Sequence, residues 1–228
     1  MTEHLSSNGF FPLLLTVSAF CAGRALQKKY RIALLNPIMI AAILVGFLLR
    51  ILEIPVEAYT SGCAPLQYLL TPATICFAIS LYEQLSRLKK HIGAILAGTL
   101  CGSLTSLISV RLMCSWFGLD RTLTVSMLPK SITSAIGMDL SAQIGGIASL
   151  TTAAIVLTGI LGNMVGPILC RWFRITRDIA QGVAFGTASH AIGTTKAAEL
   201  SRTAGAVSSF SLTLAGLITV AVLSFFCH

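Results

Sequence analysis

The chain has 228 residues with 16 Lys and Arg against 8 Asp and Glu, so its formal net charge is +8, yet 55% of residues are apolar and only 11% charged. With a mean hydropathy of +0.85, this composition is that of an integral membrane protein: a chain of this length could bury a soluble core, but its apolar stretches approach the ~20 residues a helix needs to cross the hydrocarbon, and helices are expected throughout, since lipid offers the backbone no hydrogen-bonding partner. The basic residues fall in short clusters between apolar stretches rather than along one solvated face, which speaks against a nucleic-acid surface and marks them as topology signals.

In chain order, spans are predicted at 9–24, 33–52, 64–84, 92–116, 147–170 and 204–227. The first follows Glu3 and His4 without a basic leader or a small-x-small cleavage site, so it is expected to remain as a helix rather than to leave as a signal peptide, and Phe20 before Cys21 does not suit a lipoprotein. Asn36-Pro37 reads as an N-cap with Pro at the first helical position, starting the second span. Gly98-x-x-x-Gly102 and Gly162-x-x-x-Gly166 place small residues on one helix face, for close packing within the chain. The seven cysteines show no ligand spacing and are expected to be free thiols.

Two further segments, 121–145 and 180–200, are too rich in Gly, Ser and Thr for plain lipid-facing helices. Loops rich in Lys and Arg stay in the cytoplasm. The clusters Arg24/Lys28/Lys29/Arg31, Arg87/Lys89/Lys90 and Arg171/Arg174/Arg177 share that side only if one of the three candidate segments between residues 91 and 171 is not a simple span; 121–145 is the best candidate to dip in and return, and the alternative is an ordinary broken helix with a third cluster that defies the charge bias. By the same logic 180–200 dips in from the opposite face. The expected fold class is therefore all-α: a polytopic membrane helical bundle with broken or re-entrant helices, arranged as the inverted repeat of a secondary transporter.

The sharpest feature is Pro129-Lys-Ser-Ile-Thr-Ser-Ala-Ile, echoed at Pro72-Ala-Thr-Ile-Cys-Phe-Ala-Ile, with a second echo between Cys114-x-Trp-Phe and Cys170-x-Trp-Phe, one residue out of that register. Proline interrupts the helix ladder, so Pro72 and Pro129, with Gly145, Gly146 and Gly193, are the expected helix breaks. An ammonium group at membrane depth costs several kcal/mol unless it faces a cavity, a partner or a solute. Lys130, the hydroxyls of Thr74, Ser131, Thr133 and Ser134, and the positive end of the half-helix that follows are thus expected to bind an anion. In the second segment Ser189, His190 and Thr194 supply donors and acceptors; His190, and Asp139 in the first segment, are candidates for proton coupling, while a neutral, structurally satisfied His190 and a Lys130–Asp139 ion pair are the plainer alternatives. Lys196 and Glu199, at i and i+3, are expected to pair on a helix face. No nucleophile, paired carboxylate, metal-ligand set or phosphate loop is visible, so neither catalysis, a metal nor a cofactor is expected.

Taken together, Leu128-Pro-Lys-Ser-Ile-Thr, Ser141-Ala-Gln-Ile-Gly-Gly-Ile, Thr158-Gly-Ile and His190-Ala-Ile-Gly-Thr, with Asn36-Pro37 and Leu70-Thr-Pro-Ala-Thr, resemble the LrgB/CidB family, which includes YohK-type inner-membrane proteins and the carboxyl-terminal half of the plant plastidic glycolate/glycerate translocator. Ala135 and Ser80 stand where family members often carry Pro. The resemblance implies a single transmembrane domain over 1–228 in a bacterial cytoplasmic membrane. It implies two functions: transport of small monocarboxylates such as glycolate, glycerate, lactate or pyruvate, or holin/antiholin-like regulation of murein hydrolases and autolysis. A small LrgA-like membrane protein and a second copy of the chain are the protein partners to look for.

Overall fold

The structure, a computed structural model, describes residues 10–30, 36–69, 72, 75, 76, 79 and 82–226. Every regular element among them is an α-helix. The chain divides into two compact units, residues 1–76 and 77–228.

In the first unit, α1 (Phe10–Tyr30) and α2 (Pro37–Ile51) are followed by two short helices, α3 (Val56–Gly62) and α4 (Ala64–Tyr68). Ala19, Val45, Leu49 and Ile54 form its core. Asn36 caps α2 as expected, its Oδ1 accepting from the Ile38 amide at 2.9 Å, with Pro37 at the first helical position. Of the expected span at 64–84, eight residues, Thr74 among them, lie outside the described residues; its first residues form α4, and Pro72 is exposed.

The second unit holds α5 (Leu85–Lys90), α6 (Ile92–Trp116), α7 (Arg121–Met127), α8 (Ser134–Gln143), α9 (Ala148–Trp172), α10 (Asp178–Leu200) and α11 (Arg202–Phe226). Four helices among the described residues, α1, α6, α9 and α11, are long and apolar enough to cross a membrane. The chain is a multi-pass membrane protein.

Neither polar segment crosses. A straight helix over the 21 residues from Ser126 to Ile147 would be about 31 Å long, yet the Ile147 amide donates to Ser126 Oγ at 2.7 Å. Thr151 closes the same knot, its hydroxyl donating to the Ser126 carbonyl at 2.8 Å and lying 2.7 Å from Ser141 Oγ. Residues 121–147 thus fold back on themselves as hairpin 1, with α7 as its inward arm, α8 as its return arm and residues 128–133 as its tip. Gly145, at φ +84°, and Gly146 make the turn into α9 at the base of the hairpin, not at its tip.

α10 behaves likewise. Its helical pattern is continuous except at His190, which has φ +41° and ψ −139°, a left-handed backbone that non-glycine residues rarely adopt. The two arms meet where Gly193 lies against Ser189 and the Phe185 carbonyl, and the ends are tied by Ser201 Oγ donating to the Asp178 carboxylate at 2.6 Å. Residues 178–201 are hairpin 2, and α11 packs along both of its arms: Gly182 against Ala204 and Val207, and Gly205 against Ala198.

The hairpins enter from opposite ends of α9. Thr151, near the start of α9, touches hairpin 1, whereas Gly162 and Gly166, further along, pack on Ser189 and Phe185 of hairpin 2. The Gly-x-x-x-Gly stripe of α6 faces the same arm from the other side, Gly98 against Val183 and Gly102 against Thr187. Both stripes therefore serve packing within the chain, as expected, and clamp one half-helix between two spans.

The echo at Cys-x-Trp-Phe proves to be structural. α6 and α9 are both 25 residues long, and 56 positions apart each ends in the same cap: Phe117 bonds the Met113 carbonyl and Phe173 the Leu169 carbonyl, Gly118 and Arg174 take φ +66° and +54°, and Leu119 and Ile175 bond the carbonyls of Cys114 and Cys170. Each cap then leads into a hairpin. The two spans run antiparallel, because Cys114 at the end of α6 shares a core cluster with Ile144, just before α9, whereas Lys90 and His91 at the start of α6 share a cavity with Arg177, just after α9. This is an inverted repeat of span plus hairpin.

The second and third basic clusters consequently lie at one end of this unit, as the charge parity requires. In a chain whose native cysteines are replaced, Cys introduced at 90 and at 177 should react with an impermeant maleimide from the same side of oriented vesicles, and Cys at 120 from the other. Opposite labelling of 90 and 177 would mean that residues 121–147 cross.

Candidate functional site

Both hairpin tips reach the middle of the unit. At the tip of hairpin 1, Lys130 N–H still bonds the Met127 carbonyl at 3.2 Å, but the ladder then stops, and α8 restarts with Thr133 as its cap residue and Gly137 bonding the Thr133 carbonyl at 2.8 Å. The first amides of α8 lack intrahelical partners and present partial positive charge beside Lys130. Pro129 is fully buried and Lys130 half-buried. Its Nζ donates to Ser131 Oγ at 3.0 Å, and Ser131 bonds Ser106 Oγ of α6 at 3.0 Å, which anchors the tip near the midpoint of a span.

At the tip of hairpin 2, His190 is buried and its Nε2 lies 2.8 Å from the Ile155 carbonyl of α9. A carbonyl only accepts, so Nε2 carries a proton. The break frees carbonyls that find other donors: Asn163 Nδ2 donates to Ile192 O at 3.0 Å, and Thr194 Oγ1 donates to His190 O at 2.9 Å and lies 2.8 Å from Ser208 Oγ. Ile155, fully buried, is where the hairpins converge: Gly137 of hairpin 1 lies against its side chain, and His190 of hairpin 2 binds its carbonyl.

A cavity of about 660 Å³ opens at this convergence. Lys130 and Ser189 line it from the two tips, Thr158 and Gly162 from α9, and its apolar walls run toward Phe173 and Ile175 at the basic end of the unit. Ser189 is 3% exposed, and its hydroxyl makes no hydrogen bond to another described residue. On the far side of the tips a narrow cleft joins Ser131 to Ser103, Thr187 and Thr219. Ser103 Oγ there, with Thr99 and Ser211 Oγ elsewhere, is buried without a partner among the described residues. One cation, several hydroxyls and an otherwise apolar wall can hold a small anion with an apolar tail.

The structure thus brings Lys130, Ser131, Ser189 and His190 together. Thr133 and Ser134 are half-buried at the start of α8, and Thr194 is fully buried with its hydroxyl engaged inside the protein. Asp139 is exposed on α8, lines none of these cavities and makes no ion pair with Lys130. Asp139→Asn should therefore leave the activity of the protein within about twofold of its starting value, as surface changes do, when measured in parallel with Lys130→Ala. Lys196 and Glu199 pair at 2.7 Å, as expected for i, i+3. The groups that sequence reasoning missed are Ser106, Thr151, Asn163 and Ser208, each a polar residue inside an apolar span, and Ser126 in the inward arm of hairpin 1; the signal of the first four is that position, and the partners of all five come from remote segments. Among the described residues no cluster of His, Cys, Asp and Glu suits a metal.

Fold and site define a class: a multi-pass helical membrane protein built as an inverted repeat, with two opposed re-entrant hairpins meeting at a polar centre. The chain belongs to the LrgB-like family, whose model matches residues 16–228. It is 37% identical over 95% of its length to the uncharacterized protein YwbG of Bacillus subtilis, covering 96% of that chain. It is 35% identical to the holin-like protein CidB of Staphylococcus aureus N315, covering 91% of this chain and 90% of that one. To the antiholin-like protein LrgB of Bacillus cereus B4264 it is 34% identical over 95% of both. No solved structure matches.

Proposed function

We propose that this protein is a secondary carrier of small monocarboxylate anions, of the glycolate, glycerate, lactate or pyruvate class, in a bacterial cytoplasmic membrane. The observation that supports this reading best is the cavity into which Lys130 and Ser189 face from hairpins that enter from opposite ends. Lys130, with the start of α8, neutralises the carboxylate; the Ser189 hydroxyl orients it; the apolar wall accommodates the carbon chain. His190, beside the site, orients the solute or exchanges a proton with it. Exposure of the centre to each side in turn, by movement of one repeat against the other, is the expected mode of transport.

The test is uptake of labelled glycolate and pyruvate into proteoliposomes holding the purified protein, with and without an inward proton gradient. Saturable uptake supports a self-sufficient carrier, and dependence on the gradient brings His190 forward. No uptake by folded protein sinks the reading.

The names of the relatives favour a second reading, and the comparisons support it more directly than the first: a holin-like or antiholin-like regulator of murein hydrolase activity and autolysis, acting with an LrgA-like membrane partner. A regulator of that kind needs helix surfaces but no anion site. In a strain lacking the protein, Lys130→Ala should then restore the normal autolysis rate as fully as the unaltered chain, whereas failure to do so ties the effect to the central cavity.

A further inference from the structure

A second cavity, of about 1,050 Å³, lies on the opposite side of the first arm of hairpin 2, between it and α6. Its mouth carries Lys90, His91 and Arg177, all exposed, brought together from the start of α6 and the loop that follows α9. Asp178 at the same mouth is held by Ser201, whose hydroxyl donates to its carboxylate at 2.6 Å, so the acidic group is turned to closing hairpin 2. Below the mouth the wall is mainly apolar. Ala94, Gly98, Val183 and Ala184 line it, with Thr187 and Thr203 as polar members, and it follows the seam where Gly98 and Gly102 of α6 pack on Val183 and Thr187. From Ala94 to Gly102 that wall runs about 12 Å along the helix.

Cations at the end of a span above a slot of that length inside the apolar zone match one chemistry, a phosphate with a hydrocarbon chain attached. A small hydrated anion has no use for the apolar wall, and a neutral lipid has none for three basic groups. Basic pockets between spans on the cytoplasmic side bind anionic headgroups for this reason. We propose that this groove is a binding site for an anionic phospholipid, its headgroup phosphate against Lys90, His91 and Arg177 and one acyl chain lying along α6 past Gly98. The site is separate from the central cavity and independent of what the protein transports or regulates.

The experiment is thermal unfolding of the full chain in neutral detergent, titrated with phosphatidylglycerol, with phosphatidylcholine of the same acyl chains, and with inorganic phosphate. Phosphatidylglycerol should raise the midpoint saturably, and the other two should not. In Lys90→Gln/Arg177→Gln the lipid-free midpoint should stay unchanged while apparent affinity for phosphatidylglycerol falls roughly thirtyfold, as expected for two basic groups at a headgroup. Ala94→Phe, which fills the slot and keeps every charge, should weaken the lipid effect as well, and keeps the proposal testable should the double variant not fold. Equal shifts with phosphatidylcholine, a full shift with inorganic phosphate, or an undiminished shift in both variants overturns the proposal.

Discussion

Lys130→Ala should reduce saturable carboxylate uptake by roughly 10- to 100-fold, the range a charge-assisted hydrogen bond supports, without unfolding the protein. The ammonium is half-buried at the tip of hairpin 1 and faces a cavity whose polar lining is otherwise neutral hydroxyls. Among the described residues its one hydrogen bond is to Ser131 Oγ, and Ser131 keeps Ser106 when Lys130 is truncated. The loss therefore falls on the bound anion rather than on the fold. Lys130→Arg keeps the charge but adds bulk beside Ser189, and should retain partial uptake with a changed preference among carboxylates. Full activity of Lys130→Ala, with an unchanged thermal midpoint, would remove the central claim.

Gly186→Val should be the most damaging single change to stability. Gly186 lies in the inward arm of hairpin 2, where a Cβ would stand 2.5 Å from the Ser208 carbonyl, 2.9 Å from Ser211 Cβ and 3.1 Å from the Leu212 amide of α11. Two of those three atoms are backbone, so the neighbour yields only if the hairpin and α11 separate along an interface that includes the Thr194–Ser208 bond. Overpacking of this kind typically costs about 1–3 kcal/mol, and the rigid partner puts this site at the upper end. Gly46→Val, in α2, meets nothing within 4 Å and is the matched control. A thermal midpoint for Gly186→Val equal to that of Gly46→Val would show that α11 is not held against hairpin 2 as described.

The spans were legible because a stretch of about 20 apolar residues has few uses outside a bilayer. The predicted 92–116 agrees with α6, and 147–170 and 204–227 agree with α9 and α11 to within about two residues, the usual uncertainty at helix ends. The hairpins were legible from charge parity together with Pro129 and the Gly/Ser/Thr content, since only a returning segment puts Lys90 and Arg177 at one end. Lys130 stood out because an isolated cation in an apolar chain needs a partner or a solute. The break at His190 was not legible to the residue: no proline marks it, and a histidine takes φ +41° there because Ile155 O, Asn163 and Thr194 hold the groups around it.

By itself, then, the sequence determined that the chain lives in a membrane, where the spans α6, α9 and α11 lie and which two segments break, because hydropathy, charge bias and helix-breaking residues act locally. Only the tertiary structure decided that the two breaks meet at Ile155, that Lys130 and Ser189 share a cavity while Asp139 stands outside it, and that both glycine stripes close on the same half-helix. Those facts depend on which helix faces touch across tens of residues, and small, polar and apolar side chains read alike in sequence until the packing that buries them is known.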